Sequence, residues 1–136
     1  MTPAVPVSWG ELIDKITILE IKSQRMTDPA KLHNVRTELA LLNDTWRASP
    51  YSKTDIEAEW KGLRDVNTKL WDVEDLLRDL EREGRFDAEF VELARAVYFT
   101  NDERAAIKKQ INAKLGSALV EEKSYASYTR SGADSG

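Results

Sequence analysis

The chain contains no cysteine and a single histidine, His33. Without thiols there are no disulfide staples, no cysteine nucleophile, no iron–sulfur cluster and none of the usual structural zinc sites. One imidazole cannot build a multi-histidine metal centre. Basic charge is not in excess either. The 24 acids outnumber the 20 bases, for a formal net charge of −4, which gives no support for nucleic-acid binding. Long apolar runs are missing. The greasiest stretch, Leu12 to Ile21, is interrupted by Asp14, Lys15 and Glu20, well short of the roughly 18 apolar residues a membrane span needs. Met1 to Val7 has neither a basic nor an apolar region of signal-peptide type. The expectation is a soluble, cytoplasmic protein with no membrane partner. No internal repeat and no sustained strand alternation are visible.

What is present reads as helix. The 136 residues suit one domain, and 41% apolar residues suffice for a core. Ser8 followed by Glu11 has capping-box spacing, so a first helix is predicted from about Trp9. Asp28-Pro29 is a second start, with Asp28 as cap and Pro29 in the first turn. The run Ala48-Ser49-Pro50-Tyr51-Ser52 reads as a loop. A third helix is predicted from about Thr54 to Glu83, stopped by Gly84, and a fourth from after Arg85 or Asp87 to Leu115, stopped by Gly116. The last two each span nearly 30 residues, roughly 45 Å at about 1.5 Å per residue. Thr100-Asn101-Asp102-Glu103 offers a competing helix start, but the apolar stripe keeps its phase across it, which favours one continuous or kinked helix.

Apolar spacing supports these assignments. Leu12, Ile16, Leu19, Ser23 and Met26 follow one helical stripe, and Leu32, Val35, Leu39, Leu42 and Trp46 follow another. The short linker between them makes a hairpin. The predicted fold is therefore all-α, four-helix-bundle-like: a helical hairpin packed on two long antiparallel helices. Residues 1–125 form the domain and 126–136 a disordered tail. Ile18 and Ile21 lie opposite the main stripe of the first helix, so that helix has a second greasy side. A homodimer is one explanation. Trp9, Trp46, Trp60 and Trp71 are assigned to the core or a subunit contact, and His33 to the surface.

Several polar residues fall on the apolar arcs when placed at about 100° per residue. On the third helix these are Asn67, Glu74, Arg78 and Glu81. On the fourth they are Asn101, Arg104, Lys108 and Asn112, and on the first, Glu20. Buried charge is costly unless paired and hydrogen-bonded. The expectation is that Glu20, Glu74 and Glu81 meet Arg78, Arg104 and Lys108 in the bundle interior or in a cleft, with the three amides around them. Two readings compete. One is a structural network that fixes helix register. The other is an interhelical site, in which the three cations hold a carboxylate or phosphate. In that site the glutamates orient it, act as acid or base, or hold Mg²⁺ through oxygen. No resident cofactor is expected, and Mg²⁺ is the one metal left open.

Three stretches carry a resemblance. They are Gly10-Glu11-Leu12-Ile13-Asp14-Lys15-Ile16-Thr17-Ile18-Leu19-Glu20-Ile21-Lys22, Leu93-Ala94-Arg95-Ala96-Val97-Tyr98 and Asn101-Asp102-Glu103-Arg104-Ala105-Ala106-Ile107-Lys108. Gly116-Ser117-Ala118-Leu119-Val120-Glu121-Glu122-Lys123-Ser124-Tyr125 adds to them. Over roughly Val7 to Tyr125 the chain resembles the bacterial and phage family catalogued as domain of unknown function 6165. The resemblance implies a small, mainly helical protein without an established activity, associated with surface-polysaccharide and glycosyltransferase gene neighbourhoods. It supplies no catalytic residues. The expected function is a binding or scaffold module with an interhelical pocket for an anionic small molecule. The alternatives are an enzyme acting on a sugar-phosphate or nucleotide-like substrate and a purely structural oligomerisation module.

Overall fold

In the computed structural model, which describes residues 1–119, 121 and 122, four helices account for the regular structure. The proposed tail, 126–136, lies outside the described residues. Helix α1 is Trp9–Arg25, α2 is Pro29–Ala48, α3 is Glu57–Glu83 and α4 is Ala88–Leu115. No strand occurs among the described residues, and no helix is long and apolar enough to cross a membrane.

The ends follow local chemistry. Ser8 accepts a hydrogen bond from the Glu11 amide at 3.1 Å, and Asp28 from the Lys31 amide at 3.0 Å, with Pro29 in the first turn. Each satisfies an amide that has no partner inside its helix. Helix α3 begins three residues later than its spacing predicts. Asp55 accepts from the Glu57 amide and so holds the preceding residues in the loop. Gly84 and Gly116 both adopt left-handed backbone at φ 66° and 60°, where a Cβ is strained, and each terminates its helix. Helix α4 runs unbroken through residues 100–103. Thr100 is fully buried rather than capping a new helix.

Helix α1 is central and packs against the other three, whereas the backbone of α2 comes close to that of α1 alone and reaches α3 through Trp46. Helices α3 and α4 form the long hairpin. Contacts from Thr17 to Asn67 and from Arg25 to Asp72 run α1 alongside α3 in the same direction. Contacts from Gly10 to Asn112 and from Asp14 to Arg104 run it against α4 in the opposite one. The core is Leu12, Ile13 and Ile16 from α1, Trp46 from α2, Ile56, Leu63 and Val66 at α3, and Ile111 and Leu115 from α4. Trp46 meets Trp9 and Trp60 edge-on at about 6 Å, and Trp9 meets Tyr51 at 5.3 Å, so three tryptophans close one end of the bundle. Trp71 instead lies under the Arg25 guanidinium. His33 is exposed.

Helix α1 ends at Arg25, beside Trp71 and Asp72. The α3–α4 hairpin continues past it, and no residue of α4 before Thr100 is buried. The second greasy side of α1 is met in part within the chain, with Ile18 left half-buried. Ile21 is buried, and Asp14 and Thr17, on the same side, bond to α4 and α3.

Candidate functional site

A polar seam joins α1 to the hairpin, and its centre is Asp14, which has no solvent exposure. The Arg104 guanidinium donates to both its oxygens, from Nε at 2.8 Å and from Nη2 at 2.5 Å. Asn67 Nδ2 donates to Asp14 Oδ1 at 2.9 Å and to Thr17 Oγ1 at 3.0 Å, and Thr17 Oγ1 donates to the Asp14 carbonyl. Such a two-pronged guanidinium–carboxylate pair fixes geometry as well as charge. The bond to Asp14 raises the Arg104 pKa, outweighing the lowering by burial.

The seam extends towards the start of α1. The Gly10 amide, a first-turn donor without a helical partner, donates to Asn112 Oδ1 at 2.7 Å. A Cβ at Gly10 would sit 2.5 Å from the Lys108 carbonyl oxygen, so the close approach of α1 and α4 requires glycine. Lys108 Nζ donates to Glu11 at 2.7 Å and to Glu121 at 2.6 Å. Burial pushes its pKa down, but the bonds to the two carboxylates more than compensate, and the net direction is up.

Asn67, Arg104, Lys108 and Asn112 are thus all drawn to α1, as inward-facing residues should be. The expected ion pairs among the six charges do not form. Arg104 pairs with Asp14, Lys108 with Glu11 and Glu121, and Arg78 with Asp75. Glu20 is half-buried, accepting from Trp60 Nε1 at 3.0 Å and from Arg64 at 2.6 Å. Glu74, Arg78 and Glu81 are exposed. The reason is the length of α1. These three continue the α3 stripe that carries Asn67 and Trp71, but among the described residues no helix covers that stripe beyond Arg25.

Sequence reasoning missed Asp14, Thr17 and Glu11. Asp14 reads as a mere interruption of a greasy run. Its signal was the 14, 17 or 18, 21 spacing, which places it on the second apolar side of α1 with Ile18 and Ile21.

Where the end of α1 lies over the hairpin, a cleft of about 410 Å³ opens, within the size range of small-molecule sites. Ile18, Ile21 and Lys22 form one wall. Asn67, Leu70, Trp71, Glu74, Asp75 and Arg78 form the second, and Asn101 and Arg104 the third. Five of the residues singled out from sequence therefore line one cavity: Asn67, Glu74, Arg78, Asn101 and Arg104. Glu20, Glu81, Lys108 and Asn112 do not. Arg104 uses Nε and Nη2 on Asp14, while its Nη1 has no hydrogen-bond partner among the described residues. A smaller hollow of about 230 Å³ shares Asn101 and Arg104 with the cleft and also contains Lys108. Among the described residues, no group of three or more Asp, Glu or His is placed to hold a metal ion.

Comparison with known proteins places the chain in a family. The profile described as "family of unknown function (DUF6165)" matches residues 4–135, and the chain belongs to that family. No curated protein matches, and no solved structure matches.

Proposed function

We propose that the protein is a binding module whose ligand, a small anionic molecule, enters the cleft between α1, α3 and α4. The observation that carries this reading is Arg104. Its guanidinium is locked in place by a fully buried carboxylate, it lines the cleft, and one nitrogen has no partner among the described residues. A cation held rigidly at low entropy cost is the arrangement that recognises a carboxylate or phosphate. Asn101 supplies donors and acceptors beside it, Arg78 and Lys22 add cationic reach, and Trp71, Leu70, Ile18 and Ile21 give apolar surface. Glu74 and Asp75 bring negative charge to the rim, which favours ligands carrying hydroxyl or amine donors as well as the anion.

Titration of the ¹⁵N-labelled protein with inorganic phosphate, a hexose phosphate, a nucleoside monophosphate and citrate tests the proposal. Saturable shifts at Asn101 and the Trp71 indole, weakened in Arg78→Ala, are expected. No saturable shift at those residues with any of the four would overturn it.

A second reading rests on the seam itself. Asp14 has its hydrogen bonds met from inside the chain, by Arg104, Asn67 and Thr17, which is how a structural register device behaves. The two readings are compatible: the seam orients Arg104, and the cleft uses its remaining face.

A further inference from the structure

Lys108 is nine-tenths buried and yet meets two carboxylates of different origin. Glu11 sits in the first turn of α1 and belongs to the seam. Glu121 follows the end of α4, on a segment held to the body by Ser117, whose Oγ accepts from the Trp9 amide and whose amide donates to the Asn112 carbonyl. The Glu121 side chain is 43% exposed. The inner charges already balance, Asp14 against Arg104 and Glu11 against Lys108. Glu121 is the second carboxylate on the same ammonium, placed in a hollow otherwise lined by Glu11, Asn101, Arg104, Ala105 and Lys108. A buried ammonium, an amide and a guanidinium, with Glu11 at one side, form an anion seat filled by a carboxylate from the segment that follows α4.

We propose that Lys108, with Asn101 and Arg104, forms a second anion subsite, that the Glu121 carboxylate occupies it when the site is empty, and that an acidic group of a ligand displaces it. For ligand class this inference rests on the cleft being the first anion site. Because Asn101 and Arg104 line both hollows, the ligand is one carrying two acidic groups, phosphate or carboxylate, that bridges from the cleft to Lys108. Two-point attachment is also what displacement demands. A tethered carboxylate competes at an effective concentration in the millimolar range, which a single weak anion does not overcome readily. If the latch is closed in about nine of ten molecules, removing its charge tightens apparent binding roughly tenfold.

The test compares the full chain with Glu121→Gln by ¹⁵N NMR, titrating inorganic phosphate and pyrophosphate. Glu121→Gln is expected to tighten phosphate binding roughly tenfold, with shifts at Asn101, Ala105 and Lys108. Pyrophosphate is expected to bind more tightly than phosphate in both proteins. Asn101→Asp, which puts a negative charge in the seat without touching the Asp14 seam, is expected to abolish the gain. Equal phosphate binding by the parent chain and Glu121→Gln overturns the proposal, as does a gain that survives Asn101→Asp. Pyrophosphate binding no tighter than phosphate overturns the two-acid ligand. Response at Lys108 without response at Trp71 and Arg78 leaves the subsite standing and removes the cleft. The reverse pattern leaves the cleft and removes the subsite.

Discussion

The two ends of the α3–α4 hairpin carry similar stripes and meet different fates. Beside α1 the hairpin contributes Leu63, Val66, Ile111 and Leu115 to a closed core, and its polar stripe residues Asn67, Arg104 and Asn112 bond directly to α1. Beyond Arg25 the same stripe continues through Glu74, Arg78 and Glu81 into solvent, while Leu76, Phe86, Val91, Tyr98 and Phe99 are exposed. Only Val73 and Leu80 are buried there, and Phe86 stacks on Phe90 at 5.2 Å near the tip. One helix therefore decides whether a polar residue on an apolar arc is a buried partner or a solvated side chain. The desolvation that makes a charge need a partner applies only where a third element excludes water.

The sharpest way to break this contrast is at Asp14. Asp14→Ala removes the partner of Arg104 and Asn67 within the seam, and a loss of about 3–5 kcal/mol is expected from breaking a buried pair. Urea denaturation checks it, and a loss below about 1 kcal/mol would show that the seam is not where the two ends differ. Gly10→Ala comes next. Its methyl would meet the Lys108 carbonyl at 2.5 Å, so α1 and α4 must separate. Overpacking costs about 1–3 kcal/mol, offset in part by the better helix propensity of alanine. A net fall in melting temperature is expected, where an open position would gain.

A smaller effect tests the covered end by pH. The hydrogen bond from Lys114, at 2.5 Å, holds Glu59 below its ordinary value of 4.5, although burial acts in the opposite direction. With the folded value depressed, the stability contributed by Glu59 is present above pH 4.5 and lost as pH falls through the folded value. Glu59→Gln should lack that part of the acid slope, which begins as pH falls below the ordinary value of 4.5. The difference should be about 1 kcal/mol or less, because Lys114 is half exposed. Stability curves at several pH values read it, and parallel slopes would refute it. The smallest effect lies beyond α1. Glu81→Ala should change stability by no more than about 0.5 kcal/mol, measured by thermal unfolding. A cost above about 2 kcal/mol would mean that the open stripe is covered after all.

Much of this architecture was legible in the residues, for local reasons. Ser8, Asp28, Asp87, Gly84 and Gly116 act at helix ends through hydrogen bonds and backbone angles that involve their near neighbours. The candidate site was half legible. Asn67, Arg104, Lys108 and Asn112 betray themselves by lying on apolar arcs, but their partners do not. Asp14 is hidden among Ile13, Ile16 and Ile21 in a helix greasy on two sides. Glu11 looks like an ordinary first-turn acid. Glu74, Arg78 and Glu81 have the same arc signature as Asn67, and no periodicity reports where a neighbouring helix ends.

By itself the sequence determined the helical class, four helices with nearly the observed boundaries, their hairpin connections and the apolar stripe of each helix. Caps, left-handed glycines and a 3.6-residue repeat act over a few residues and are written in order along the chain. Only the tertiary structure decided that α1 is the central helix, that its Asp14 gathers Arg104 and Asn67 from two other helices, and that its end at Arg25 leaves a cleft beside an open stripe. Those outcomes depend on which surfaces exclude water from which, and that is set by relative helix position, across separations of 53 and 90 residues for the two Asp14 contacts.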